Sequence, residues 1–249
     1  MAMTWYEMYE SAKLDLGFTS PVSWMTEANA LHHLSMAQHL IQQETSAVKR
    51  EATINLATDL NATGQDDLPA DMKLLDTITW SPDASTVGFR DVKLKTTDEF
   101  KRIVEGFRDP AGQHVALPQD DGALYAMIEL RKISFYPYSG ATGIVKLRYA
   151  PHLYPYTPSN SVEWSGYGSD PTTAMGSNGP EEMLRAAHWG MISYLKAKFI
   201  ERQPNGLKLR AGEYQIAMAE FRQALTALKQ QTLDYTHTTV VPANFGGIQ

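Results

Sequence analysis

Cysteine is absent from the 249 residues, which excludes disulfide scaffolds, thiol nucleophiles, iron–sulfur clusters and every zinc site with a thiolate ligand. Long apolar runs are missing as well: none approaches the ~18 residues of a membrane-spanning helix. The opening Met1-Ala-Met-Thr-Trp-Tyr-Glu7 lacks the basic and apolar regions of a signal peptide. The expectation is a chain neither secreted by a signal peptide nor embedded in a membrane. There is no cationic excess, since 22 Lys and Arg face 28 Asp and Glu, for a net charge of -6 and a pI near 5.6. That balance speaks against a generally basic nucleic-acid binder, which binds by displacing phosphate counterions. What is present is ordinary for a globular protein, with 43% hydrophobic and 20% charged residues. At about 150 residues per domain, the length corresponds to one or two domains with ample core.

Residues 1–50 predict two helices. Thr4 to Leu16 forms the first, ended by Gly17, and Ser20-Pro21 opens a longer one to about Arg50, with Leu31, Leu34 and Ile41 on one stripe. Beyond Arg50 the texture changes to short β-branched or alternating runs: Ala52–Ala57, Leu74–Trp80, Val87–Leu94, Leu124–Leu130, Lys132–Tyr136 and Gly143–Tyr149. Turn signals such as Asn61-Ala-Thr-Gly64, Gln119-Asp-Asp-Gly122 and Tyr138-Ser-Gly140 separate them. Residues 51–150 therefore predict a small antiparallel β-rich region. Within it Thr96-Thr-Asp-Glu99 is a capping-box pattern, with Thr96 or Thr97 as the cap, before Phe100, Ile103, Val104 and Phe107, which places one helix among the strands.

Residues 151–179 read as a long loop that carries Tyr154, Tyr156, Trp164 and Tyr167 with few charges. A connection of that length is functional or disordered, and its aromatic residues suit protein contact or stacking on sugars. Pro180-Glu-Glu opens a helix whose Leu184, Ala187, His188, Met191 and Leu195 share a face. Gln203-Pro-Asn-Gly206 ends it. A second helix then repeats apolar positions at Leu207, Ala211, Tyr214, Met218, Phe221, Leu225 and Leu228, the strongest periodicity in the chain, and completes a helical hairpin over residues 180–234. Residues 235–249 contain no charge and include the β-prone Thr238-Thr-Val-Val241. They predict an extended C-terminal tail that either docks on a partner or ends the chain loosely. The fold class is α+β: a helical domain from residues 1–50 and 180–234, with residues 51–150 inserted.

Catalytic signatures are lacking. His32, His33 and His39 share the second helix without His-Glu-x-x-His, His188 sits on an apolar stripe, and His114, His152 and His237 are isolated in predicted loops. No Gly-x-Ser-x-Gly elbow, P-loop or Gly-x-Gly-x-x-Gly occurs. Asp120-Asp121-Gly122 is the composition of a hairpin turn rather than of a glycosidase pair or a calcium loop. The residues alone point to a noncatalytic, interaction-rich protein with no cofactor and no metal.

The order of local phrases adds a resemblance. Leu68-Pro69-Ala70-Asp71-Met72, the strand Leu74–Trp80, the helix from Thr97-Asp-Glu-Phe100, a hairpin formed by Leu130-Arg-Lys-Ile-Ser-Phe-Tyr-Pro137 and Gly143-Ile-Val-Lys-Leu-Arg-Tyr149, and Pro180-Glu-Glu-Met-Leu before two closing helices together resemble the head-to-tail adaptor (connector, neck) proteins of tailed bacteriophages. In that family the phrases Leu-Pro-x-Asp, Ile-x-Leu-Tyr-Pro and Leu-x-Leu-x-Tyr recur around a β-rich insertion between N-terminal and C-terminal helices. The likeness covers about residues 4 to 234, and the loop 151–179 is longer than the family's usual connection.

The resemblance implies a structural virion protein without enzymatic activity, assembled in the host cytoplasm and located in the neck between the capsid portal and the tail. It implies a dodecameric ring that docks on the portal protein, extends the channel for genomic DNA without sequence-specific binding, and receives tail or nozzle proteins. No membrane is involved. On this expectation Tyr235, Val240, Val241, Phe245 and Ile248 of the tail hold the portal, and Tyr154, Tyr156, Trp164 and Tyr167 contact a neighbouring subunit or the tail. The competing classes are a glycan-binding or hydrolytic phage tail protein and a non-viral α+β scaffold.

Overall fold

The computed structural model describes residues 3–20, 22–82, 88–106, 123–137, 143–155 and 180–238. The chain is α+β and divides into two compact units, one of residues 1–48 and 152–249, the other of Lys49–Pro151. The second unit is thus an insertion in the sequence of the first.

The first unit is helical. Helix α1 (Trp5–Asp15) starts where the Thr4 hydroxyl accepts the Glu7 N–H and the Glu7 carboxylate accepts the Thr4 N–H, a reciprocal cap for two otherwise unpaired donors. Helix α2 (Glu27–Thr45) is capped by Thr26 and stopped by Ser46 in the left-handed region, at φ 50°. After a 3-10 turn (Glu182–Ala187) come α4 (His188–Arg202), a single turn α5 (Gly206–Leu209) and the long α6 (Ala211–Thr238). Helix α3 belongs to the other unit.

Helix α4 is the axis of this unit. Its Met191, Tyr194, Leu195, Ala197, Phe199 and Ile200 are buried on several sides, the signature of a helix enclosed by others. Helices α1, α2 and α6 all pack on it. Phe199 gathers aromatic rings from both N-terminal segments, stacking on Tyr9 at 5.9 Å and meeting Trp24 edge-on at 5.8 Å. The α4–α6 crossing is close because it is made of small residues: a Cβ on Gly190 would lie 2.4 Å from the Cβ of Ala224.

The inserted unit holds two four-stranded sheets. Strands β1 (Arg50–Asn55), β3 (Met72–Ser81), β4 (Arg90–Asp91) and β8 (Ile144–Pro151) form an antiparallel sheet in the order β1-β8-β3-β4. Strands β2 (Gln65–Asp67), β5 (Lys93–Leu94), β6 (Tyr125–Glu129) and β7 (Lys132–Tyr136) form a mixed sheet in the order β2-β7-β6-β5, in which β5 and β6 run parallel. Strand alternation gives each sheet two chemically different faces. Ile54, Ile78, Val145 and Leu147 of the first sheet share one core with Ala126, Ile133 and Phe135 of the second. On the opposite face of the mixed sheet, Met127 and Tyr136 pack against helix α3 (Thr97–Gly106) through Phe100, with Ile103 and Val104 beside them. Thr96 caps α3 by the reciprocal pair with Glu99 that the sequence predicts.

Several expectations are corrected. The antiparallel β-rich region holds two sheets, and the predicted hairpin of residues 130–137 and 143–149 is divided between them, since β7 pairs with β6 and β2 while β8 pairs with β1 and β3. The predicted strand Val87–Leu94 is split as well: Arg90–Asp91 pairs with β3 and Lys93–Leu94 with β6, while buried Val92 crosses between the sheets. Helix α2 is shorter at both ends than the predicted Pro21–Arg50, since Thr26 and Ser46 supply its caps. Pro180-Glu-Glu opens the 3-10 turn rather than the α-helix itself. The last helix begins at Ala211, so Leu207 lies in α5 and is half-exposed instead of leading the apolar seam. It also continues past Asp234 to Thr238, so Tyr235 and His237 are helical, not part of an extended tail or loop. The predicted turns at 119–122 and 138–140 lie outside the described residues.

Candidate functional site

The phrases that carry the resemblance are parts of the inserted unit's frame. In Leu68-Pro-Ala-Asp71, Leu68 is buried and the Asp71 carboxylate accepts from Arg50 Nη1 at 2.8 Å and from the Tyr149 hydroxyl at 3.0 Å. Asp71 therefore joins the first phrase to the end of Val145-Lys-Leu-Arg-Tyr149, fastening the loop before β3 to strands β1 and β8. In Ile133-Ser-Phe-Tyr-Pro137, Ile133 and Phe135 fill the inter-sheet core, Tyr136 packs under α3, and the Tyr136–Pro137 peptide is cis. These residues define architecture rather than a reacting centre.

Of the residues predicted to contact partners, Tyr154 is described. It is 45% exposed and stacks on His152 at 5.8 Å. Beside it Leu153 is buried, its carbonyl accepting the Nδ1–H of His39. The segment thus enters the helical unit with one side chain inside and the next outward. Tyr156, Trp164 and Tyr167 lie outside the described residues, as do Val240, Val241, Phe245 and Ile248. Tyr235 is in the last turns of α6.

Among the described residues no group of three His, Asp or Glu side chains is placed to hold a metal ion. His188 is buried in the helical core. His33 is buried beside His32, the rings 5.4 Å apart, and its Nε2 finds no hydrogen-bond partner among the described residues. Burial first, then the positive charges of Arg202, His32 and Lys198, lower its pKa from 6.5 to about 4, with Glu201 opposing weakly. His33 is therefore neutral at physiological pH, a core residue rather than a proton donor.

Two features of the inserted unit were not legible in the sequence. The first is a cleft of about 370 Å³ between α3 and the outer face of the mixed sheet. Phe100, Val104, Met127 and Tyr136 give it apolar walls, and Gln65, which donates to the Ser134 hydroxyl at 3.1 Å, closes it with polar groups. Lys101 and Glu105 are exposed on its rim. The second is the β6–β7 turn, where the register Glu129↔Lys132 leaves Leu130 and Arg131 as the two central residues. Both have positive φ, 49° and 65°, a conformation ordinarily given to Asn-Gly because a side chain there costs ~1–2 kcal/mol. Arg131 uses its position to fasten the turn, since its Nη2 donates to the carbonyls of Pro69 and Ala70 at 3.0 and 2.7 Å. Leu130 makes no such hydrogen bond among the described residues and is 91% exposed. No Asn or Gly marks this turn, so only the strand register reveals it.

No protein-family model matches the chain, and no curated protein matches it. Among the described residues no helix is long and apolar enough to cross a membrane.

Proposed function

We propose that this chain is a structural subunit of a tailed-bacteriophage neck, a head-to-tail adaptor. Copies of it form a ring, dodecameric in the resembled family, that docks on the portal protein, extends the DNA channel and receives tail or nozzle proteins. The observation that carries the proposal is the layout of the two units: a β-rich insertion, bounded at Lys49 and Pro151, splits one helical unit into N-terminal and C-terminal helices. That is the plan implied by the resembled phrases, two of which meet at the Asp71–Tyr149 hydrogen bond.

The role assigns no reaction to the chain and needs no cofactor. A net charge of -6 on each copy, repeated around a ring, disfavours adhesion of DNA phosphates and lets the genome slide. In this proposal Val240, Val241, Phe245 and Ile248 anchor each subunit to the portal, with Tyr235 leading into the anchor, and the aromatic residues of 151–179 face a neighbouring subunit or the tail. Truncation after Thr238 tests the anchor. The helical unit should keep its circular dichroism spectrum and melting temperature while retention on immobilised portal protein falls at least tenfold. Unchanged retention would remove the segment from the portal contact. Binding of host glycans by the full chain, without portal binding, would instead favour a tail protein that recognises carbohydrate.

A further inference from the structure

We propose that copies of this chain join head to tail through the inserted unit, with Leu130 of one copy seated in the cleft beneath α3 of the next. An exposed leucine alone is unremarkable. This one is held at the tip of a two-residue turn in a backbone conformation that disfavours it, and the turn is pinned by Arg131 to Pro69 and Ala70. A rigid apolar knob is thereby presented at little further ordering cost on binding. The cleft offers a matching apolar socket in the walls formed by Phe100, Val104 and Met127.

Charge complementarity selects a second copy as the occupant. Glu129 and Lys132 flank the knob as a directly opposed cross-strand pair, about 5 Å apart. Lys101 and Glu105 flank the socket four residues apart on α3, about 5–6 Å between their Cβ atoms. Seating the knob brings Glu129 to Lys101 and Lys132 to Glu105. Among the described residues Lys101, Glu105 and Glu129 enter no ion pair within the chain; Lys132 reaches Asp67 only at 3.9 Å.

A chain cannot fill its own socket. The knob stands three residues beyond Met127 along β6, roughly 10 Å at a strand's rise, and is not among the residues lining the cleft. In the proposed arrangement each socket takes the knob of the next copy rather than exchanging with one partner, so the contact is heterologous and propagates until a rotation closes it. The inference rests on the ring proposed above for that closure; the contact itself requires no portal.

The absence of native cysteine makes the test direct. Leu130→Cys and Val104→Cys are prepared as separate full-length variants, mixed at high concentration and oxidised, with and without coexpressed portal. A covalent heterodimer should form at least tenfold faster than when Leu94→Cys, on another exposed leucine, replaces Leu130→Cys. A chain carrying both changes should give a ladder of multimers. Adding Glu129→Lys to the knob partner should cut the yield about tenfold, and adding Lys101→Glu to the socket partner should restore most of it. Crosslinks only between two Leu130→Cys copies, equal yields with Leu94→Cys, or no heterodimer in either condition would overturn the proposal. A ladder without portal binding keeps this contact and removes the neck assignment; portal binding without a ladder does the reverse.

Discussion

At the scale of single residues, the buried polar groups set how the helical unit responds to acid. The His33 pKa of about 4 lies below the 6.5 of the unfolded chain, so between those values the unfolded state binds the extra proton. Stability from this residue is complete above about pH 6.5 and is lost as pH falls toward 4. At 1.36 kcal/mol per pKa unit the loss is roughly 3 kcal/mol. Urea titrations from pH 7.5 to 4 should show that slope in the native chain and a profile flatter by this amount in His33→Leu. Parallel profiles would contradict the assignment. His33 also shows what a sequence conceals: its place on α2 was legible, but neighbours such as Lys198 and Arg202 come from a distant helix. The same holds for Asp71, readable as part of a phrase but not as the partner of Arg50 and Tyr149, 21 residues before and 78 after it.

At the scale of elements, what was legible depended on whether the determinant is local. The Thr96-x-x-Glu99 cap and the strand Lys132–Tyr136 are visible because a few adjacent residues specify them. Strand β2 was missed, since Gln65-Asp-Asp has no apolar alternation and becomes a strand by pairing with β7. The sorting of strands into two sheets was equally hidden, because periodicity gives a face and not a partner. The cleft arises from that sorting, as its floor combines β2, β6 and β7 under α3. Helix contacts can be tested at Gly190. Alanine there improves helix propensity by about 1 kcal/mol, yet its Cβ would clash with Ala224, an overpacking cost of about 1–3 kcal/mol. Gly190→Ala should therefore lower the melting temperature, with partial recovery on adding Ala224→Gly. A raised melting temperature would contradict the close α4–α6 crossing.

At the scale of the whole molecule, the two units have separate cores, one built around α4 and Phe199, the other between the two sheets. The inserted unit is continuous in sequence. Expressed alone as residues 49–151, it should give a β-type dichroism spectrum and one cooperative thermal transition; a spectrum without a transition would contradict its independence. The proposed ring is a property of many copies together, and electron microscopy of the full chain coexpressed with the portal protein of the same genome would make it visible. The expected result is an added ring of density on the narrow end of the portal, coaxial with its channel and leaving that channel open. Portal particles with no added ring, from preparations in which the two proteins never copurify, would contradict it.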